Sequence, residues 1–132
     1  MASRSRTDLS EDELELDFLR CLAERRPGDV NILKALGDQL THCGCYAEGL
    51  AVDERLAACC HDDDTVHYNL ACSLALMGRP EEALAALARA VALGYDDDEH
   101  AAEDGDLATL HSDPRFAELL LSMRDSAAAG GD

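Results

Sequence analysis

Apolar residues along this chain recur at helical rather than alternating spacing. Leu33, Leu36 and Leu40 fall on one face of a first segment, Leu50 and Leu56 on a second, Leu70 and Leu74 on a third, and Leu84, Leu87 and Val91 on a fourth. The pattern predicts helices over about 30–42, 46–60, 65–77 and 80–93. Gly44 and Gly78 mark tight turns inside the two pairs, and Pro80 follows the second turn, at a first helical position that needs no amide hydrogen. Ahead of them, Ser10-Glu11-Asp12-Glu13 has the spacing of a capping box and opens the amphipathic run Leu14, Leu16, Phe18, Leu19, Leu22, which ends near Pro27.

The pattern repeats. Leu36, Gly37, Leu40, Gly44, Gly49, Leu50 and Leu56 are matched 34 positions later by Leu70, Ala71, Leu74, Gly78, Ala83, Leu84 and Ala90. Asp62-Asp63-Asp64 meets Asp96-Asp97-Asp98 at the same offset. Small residues thus recur where two helices touch and acids where the chain turns, so the unit is a helical pair. Pro114 and Ala117 keep the register, whereas Asp104, Gly105 and Asp106 stand where a third inner helix would place core residues. The expected organisation is an unstructured 1–9 and a single domain over 10–125. That domain comprises a leading helix 10–27, repeats 30–61 and 64–95 and a degenerate capping repeat 97–125, and an unstructured tail 126–132 follows it.

Composition sharpens this picture. Aromatic residues make up 4% of the chain and hydrophobic residues 47%, so the core must be aliphatic, which favours close-packed helices over a sheet. A formal net charge of -17 sets a field that repels phosphate backbones and anionic lipid, so neither nucleic acid nor a membrane surface is an expected partner. No apolar run is long enough to span a bilayer, and the opening Met1-Ala-Ser-Arg-Ser-Arg meets acid by Asp8 rather than an apolar stretch, so a cytoplasmic location is expected.

Leu36-Gly37, Gly44, Tyr46, the run Tyr68-Asn69-Leu70-Ala71-Cys72, Gly78, Glu82-Ala83-Leu84 and Ala90 resemble the tetratricopeptide repeat. The closing stretch Asp106-Leu107, Leu110, Asp113-Pro114-Arg115-Phe116, Leu119-Leu120 looks like the end of many bacterial proteins built from these repeats. The resemblance implies an all-α fold, a short right-handed solenoid of helix-turn-helix repeats with capping helices at both ends. It also implies a concave groove that receives a partner segment. Carried over position by position, the groove would be lined by Asn31, Lys34, Asp38, Thr65, Tyr68, Asn69 and Cys72.

Some relatives hold a C-terminal carboxylate in a Lys and Asn clamp. Lys34 and Asn69 match it, but Asp38 replaces an Asn, and Glu99 and Glu103 fall where cations would stand, so a basic or neutral segment is the expected partner. Departures from the pattern are Gly49, Pro80 and Asp53; the last falls at a normally apolar position and needs Arg55, a backbone donor or solvent.

Other chemistry finds less support. His42, Cys43-Gly44-Cys45 and Cys59-Cys60-His61 together resemble a zinc set, but a helix of roughly 14 residues, about 21 Å long, separates them. Each half alone lacks the spacer of a zinc knuckle. The six cysteines are therefore expected to be free packing residues, with no metal and no cofactor. The triple-Asp runs lack the pattern of a calcium loop and suit helix capping. No phosphate loop or nucleophile elbow is present, so no enzyme activity is expected. The chain reads as an adaptor, scaffold or regulatory subunit, with a metal- or thiol-responsive sensor as the alternative. An imperfectly capped end leaves self-association open.

Overall fold

A computed structural model describes residues 10–130. Among these, the chain is all-helical: α1 (Glu11–Arg25), α2 (Val30–His42), α3 (Tyr46–Cys59), α4 (Asp64–Leu76), α5 (Pro80–Ala92), α6 (Asp98–Glu103), a 3-10 helix (Gly105–Leu110) and α7 (Pro114–Gly130). The four central helices lie within one residue of the spans that the apolar spacing predicts. Its contacts fall into two compact units, Met1–Val52 and Asp53–Asp132, and the division lies inside α3 rather than between the expected repeats.

In the first unit, the capping box at α1 is complete. The Glu13 amide donates to Ser10 Oγ at 3.2 Å, and the Ser10 amide donates to Glu13 Oε2 at 3.0 Å. Asp29 caps α2 by accepting from the Ile32 amide at 3.1 Å. Leu16, Leu33, Leu36, Leu40, Leu50 and Val52 are buried. Gly49 is where α3 comes close to α2: a Cβ there would stand 3.1 Å from Thr41 Oγ1, a hydroxyl that donates to the Gly37 carbonyl. A residue without a Cβ therefore suits the position.

In the second unit, α4 and α5 pack along each other through Ala71, Ala83, Leu87 and Ala90, all with no exposed surface. Small side chains let the two backbones approach, as the repeated Ala and Gly positions anticipated. Asp63 caps α4 by accepting from the Thr65 and Val66 amides, and Asp97 caps α6 by accepting from the His100 amide. One acid of each triple-Asp run is thus a helix cap, at the same 34-residue spacing that separates Asp63 from Asp29.

The turns repeat as well. Gly44 and Gly78 hold φ of +79° and +72°, left-handed values that only glycine adopts cheaply. Each turn closes the same way, with Cys45 N–H on Leu40 C=O and Arg79 N–H on Leu74 C=O, the long bond of a glycine C-cap.

The third pair departs from this plan at Asp104. Its extended backbone ends α6 after six residues, and its carboxylate then caps the 3-10 helix through the Asp106 amide. The polar stretch that interrupts the apolar pattern therefore separates two short helices, and Ala101, Leu107 and Leu110 still supply buried side chains. α7 is anchored by buried Phe116 and Met123. It runs on to Gly130, correcting the expected unstructured tail from 126: Ala127, Ala128 and Ala129 are strong helix formers and carry the last turn. The expectation for 1–9 and for 131–132 lies outside the described residues.

Asp53 is 5% exposed and sits in the core of the second unit, where the Ser73 hydroxyl donates to its Oδ2 at 2.5 Å. The acid at an apolar position is thus matched by a serine on the next helix, not turned out to solvent.

Candidate functional site

The residues assigned to a groove by resemblance divide between the units. On α2 of the first unit, Asn31, Lys34 and Asp38 follow i, i+3 and i+7 spacing and share a face. Asn31 and Asp38 are exposed and Lys34 is half-buried. Desolvation by the protein crowding the Asp38 carboxyl pushes its pKa above the usual carboxylate value even so. On α4 of the second unit, Thr65 is exposed and Asn69 half-buried, but Tyr68 and Cys72 are buried.

Tyr68, 3% exposed, and Cys72 are therefore not open groove positions. Both are turned to Asp104: the Tyr68 hydroxyl donates to Asp104 Oδ2 at 2.7 Å, and the Cys72 thiol reaches the same oxygen at 3.6 Å. The Tyr68 ring stacks on Tyr95 at 4.3 Å between centroids, and His100 Nε2 lies 3.6 Å from Asp104 Oδ2. The reason is the early end of α6, which leads the chain through Asp104 into a 3-10 helix packed on α4. Burial first, and the bond to Asp104 second, push the Tyr68 hydroxyl well above its ordinary value. Burial and the charges of Asp104 and Asp106 do the same to the Cys72 thiol, and burial pushes Tyr95 up to about 12.

Cys72, Asp104 and Asp106 also place one ligand atom each within 4.8 Å of one another. Asp106 is pushed up in turn by desolvation and by Asp104. A cation there would have to displace the two protons that Tyr68 and Cys72 share with Asp104. As built, the cluster is a hydrogen-bond hub: one carboxylate takes a phenol, a thiol and a backbone amide, and so ties α4 to the chain beyond α6.

An uncovered groove lies elsewhere in the second unit. It has a volume of about 510 Å³, a floor of Leu70, Leu74, Ala85 and Ala86, and a rim of Glu54, His67, Glu82 and Arg89. None of the residues assigned by resemblance lines it. Its signal in the sequence is the i, i+4 pair Leu70 and Leu74; Leu74 and Ala86 are buried, whereas Leu70 is half-buried and Ala85 exposed. Glu82 is engaged by Arg79 at 2.6 Å, and Arg89 stands 3.8 Å from Asp62, so neither rim charge is isolated.

None of the six cysteines is in a disulfide. No helix among the described residues is long and apolar enough to cross a membrane. Comparison with protein-family models, with curated proteins and with solved structures gives no significant match to this chain.

Proposed function

We propose that this chain is a protein-interaction module of the tetratricopeptide type, without a reaction of its own, which holds a basic or neutral segment of a partner protein. The repeat reading is supported by the glycine turns at Gly44 and Gly78 and by the helix caps Asp29, Asp63 and Asp97, which recur at one 34-residue spacing. The observation that carries the functional reading is the open groove between α4 and α5, where Leu70 and Ala85 present apolar surface over the buried Leu74 and Ala86. Such a surface gains free energy when a partner's apolar side chain covers it.

Charge selects the partner. Two carboxylates, Glu54 and Glu82, stand on the rim against one guanidinium, Arg89, and the whole chain carries a formal net charge of -17. Lys or Arg beside the apolar anchor is therefore favoured, and an acidic segment is repelled before it docks. Asn31, Lys34, Asp38, Thr65 and Asn69 remain candidates for further polar contacts, whereas Tyr68 and Cys72 act from inside the fold. Six free thiols suit a reducing compartment, and we place the protein in the cytoplasm.

Selection of displayed random peptides on the protein tests this reading, with Leu70→Glu as the counter-target. Enrichment of peptides that carry Lys or Arg beside an apolar residue, and that fail to bind Leu70→Glu, is the expected result. Enrichment of acidic peptides, or equal binding to both targets, would contradict it.

A further inference from the structure

We propose that Cys59 and Cys60 form a two-thiolate site for a soft, thiophilic metal cation. Neighbouring residues in a continuous helix point about 100° apart, which keeps adjacent thiols from meeting. Here, at the C-terminal end of α3, the Cys60 amide still donates to the Leu56 carbonyl at 2.6 Å, the Cys59 thiol donates to the same carbonyl at 3.5 Å, and the two Sγ atoms stand 3.5 Å apart. A disulfide needs about 2.05 Å, so the pair would have to close by well over an ångström to bond. Two thiolates on one tetrahedral ion, with metal–sulfur bonds of about 2.3 Å, stand about 3.8 Å apart, so the observed spacing is within a few tenths of an ångström of a metal bite.

The surroundings admit an ion. Cys59 is exposed and Cys60 half-buried, and both open onto a cavity of about 530 Å³ lined further by His61, Asp62, Asp63 and Asp64. Asp63 is committed to the cap of α4 and Asp62 to His61 at 2.9 Å, so the acids draw a cation in by their charge while the sulfurs bind it. Thiolate donors select soft ions over calcium or magnesium. Binding is a ligand exchange without redox change: each S–H bond breaks, its proton goes to solvent, and the sulfur lone pair forms the bond to the metal. Two protons leave per ion, so affinity falls with acidification.

Two of the other thiols are engaged elsewhere. The Cys43 thiol takes the Gln39 amide at 3.6 Å and is pushed upward by desolvation and by Asp12, and Cys72 is sealed against Asp104.

Cadmium(II) titration of the reduced full chain, in a phosphine reductant and weakly coordinating buffer, provides the test. A thiolate-to-cadmium charge-transfer band saturating at one equivalent is expected, with about two protons released per ion. The band should be lost in Cys59→Ser and in Cys60→Ser and kept in Cys72→Ser and in the double variant Cys43→Ser with Cys45→Ser. Should Cys60→Ser unfold by circular dichroism, Cys59→Ser at its exposed position decides alone. No band at one equivalent, a band that survives in Cys59→Ser, or one that vanishes with Cys72, Cys43 or Cys45 would overturn the proposal.

Discussion

Tyr68→Phe removes one oxygen from the second unit and leaves the rest of its packing in place. The phenol is buried, its ring remains stacked on Tyr95, and the lost bond is a 2.7 Å donor to the Asp104 carboxylate. A hydrogen bond to a charged acceptor contributes about 1.5–3 kcal/mol, so the variant should lose about 2 kcal/mol in urea unfolding followed by circular dichroism. Tyr68→Ala, which also empties an aromatic site, should lose about 3–5 kcal/mol.

The alkaline limb gives an independent check. The folded-state pKa of Tyr68 lies above its ordinary 10.0 and that of Cys72 above its ordinary 9.0, so both hold their protons in the fold after the unfolded chain has released them. Their stabilisation is fully present below those ordinary values and is lost as pH rises past them towards the folded values, by about 1.4 kcal/mol per pH unit per group. Tyr68→Phe should make the decline above pH of about 10 shallower by that one share. A loss under about 0.5 kcal/mol, or an alkaline slope unchanged from wild type, would refute the hub as a source of stability.

Three further outcomes follow from the same contacts. Ser73→Ala takes the hydroxyl donor from buried Asp53 and should cost about 2–3 kcal/mol in the same urea assay. Gly78→Ala forces a Cβ into a left-handed conformation at +72° and should cost about 1–2 kcal/mol, although nothing stands within 4 Å of the new atom. Arg115 bonds Glu81 and Asp113 and holds both carboxyls below their ordinary values of 4.5 and 3.8. Their contribution is present above those values and lost as pH falls through the lowered ones, so Arg115→Ala should flatten the acid limb of an unfolding-versus-pH curve.

Local chemistry made the helices legible. Apolar spacing, the capping box at Ser10 and the turn glycines each act within a few residues, and the helices they predict are present to within a residue in the central four. Asp63 and Asp97 could be read as caps because an acid before a helix has one common use. The partner of Asp53 could not, since Ser73 lies 20 residues away and its role depends on how two helices face each other. The burial of Tyr68 and Cys72 was not legible for a similar reason. Their placement on an inner helix was inferred from the repeat pattern, but Asp104, which reads only as a break in a helix, returns across α4 and covers them. The groove at Leu70 was hidden by the opposite ambiguity, because a half-buried leucine reads the same in sequence as the buried Leu74 one turn on.

The proposal that the open face at Leu70 and Ala85 receives a partner has a direct test. Isothermal titration of the best displayed peptide into wild type and into Leu70→Glu, at low and at high salt, tests it most directly. A Kd that rises by at least about tenfold, or 1.4 kcal/mol, in the variant, together with weaker wild-type binding at high salt, is the predicted result. Equal affinity for both proteins, or binding that strengthens with salt, would contradict it.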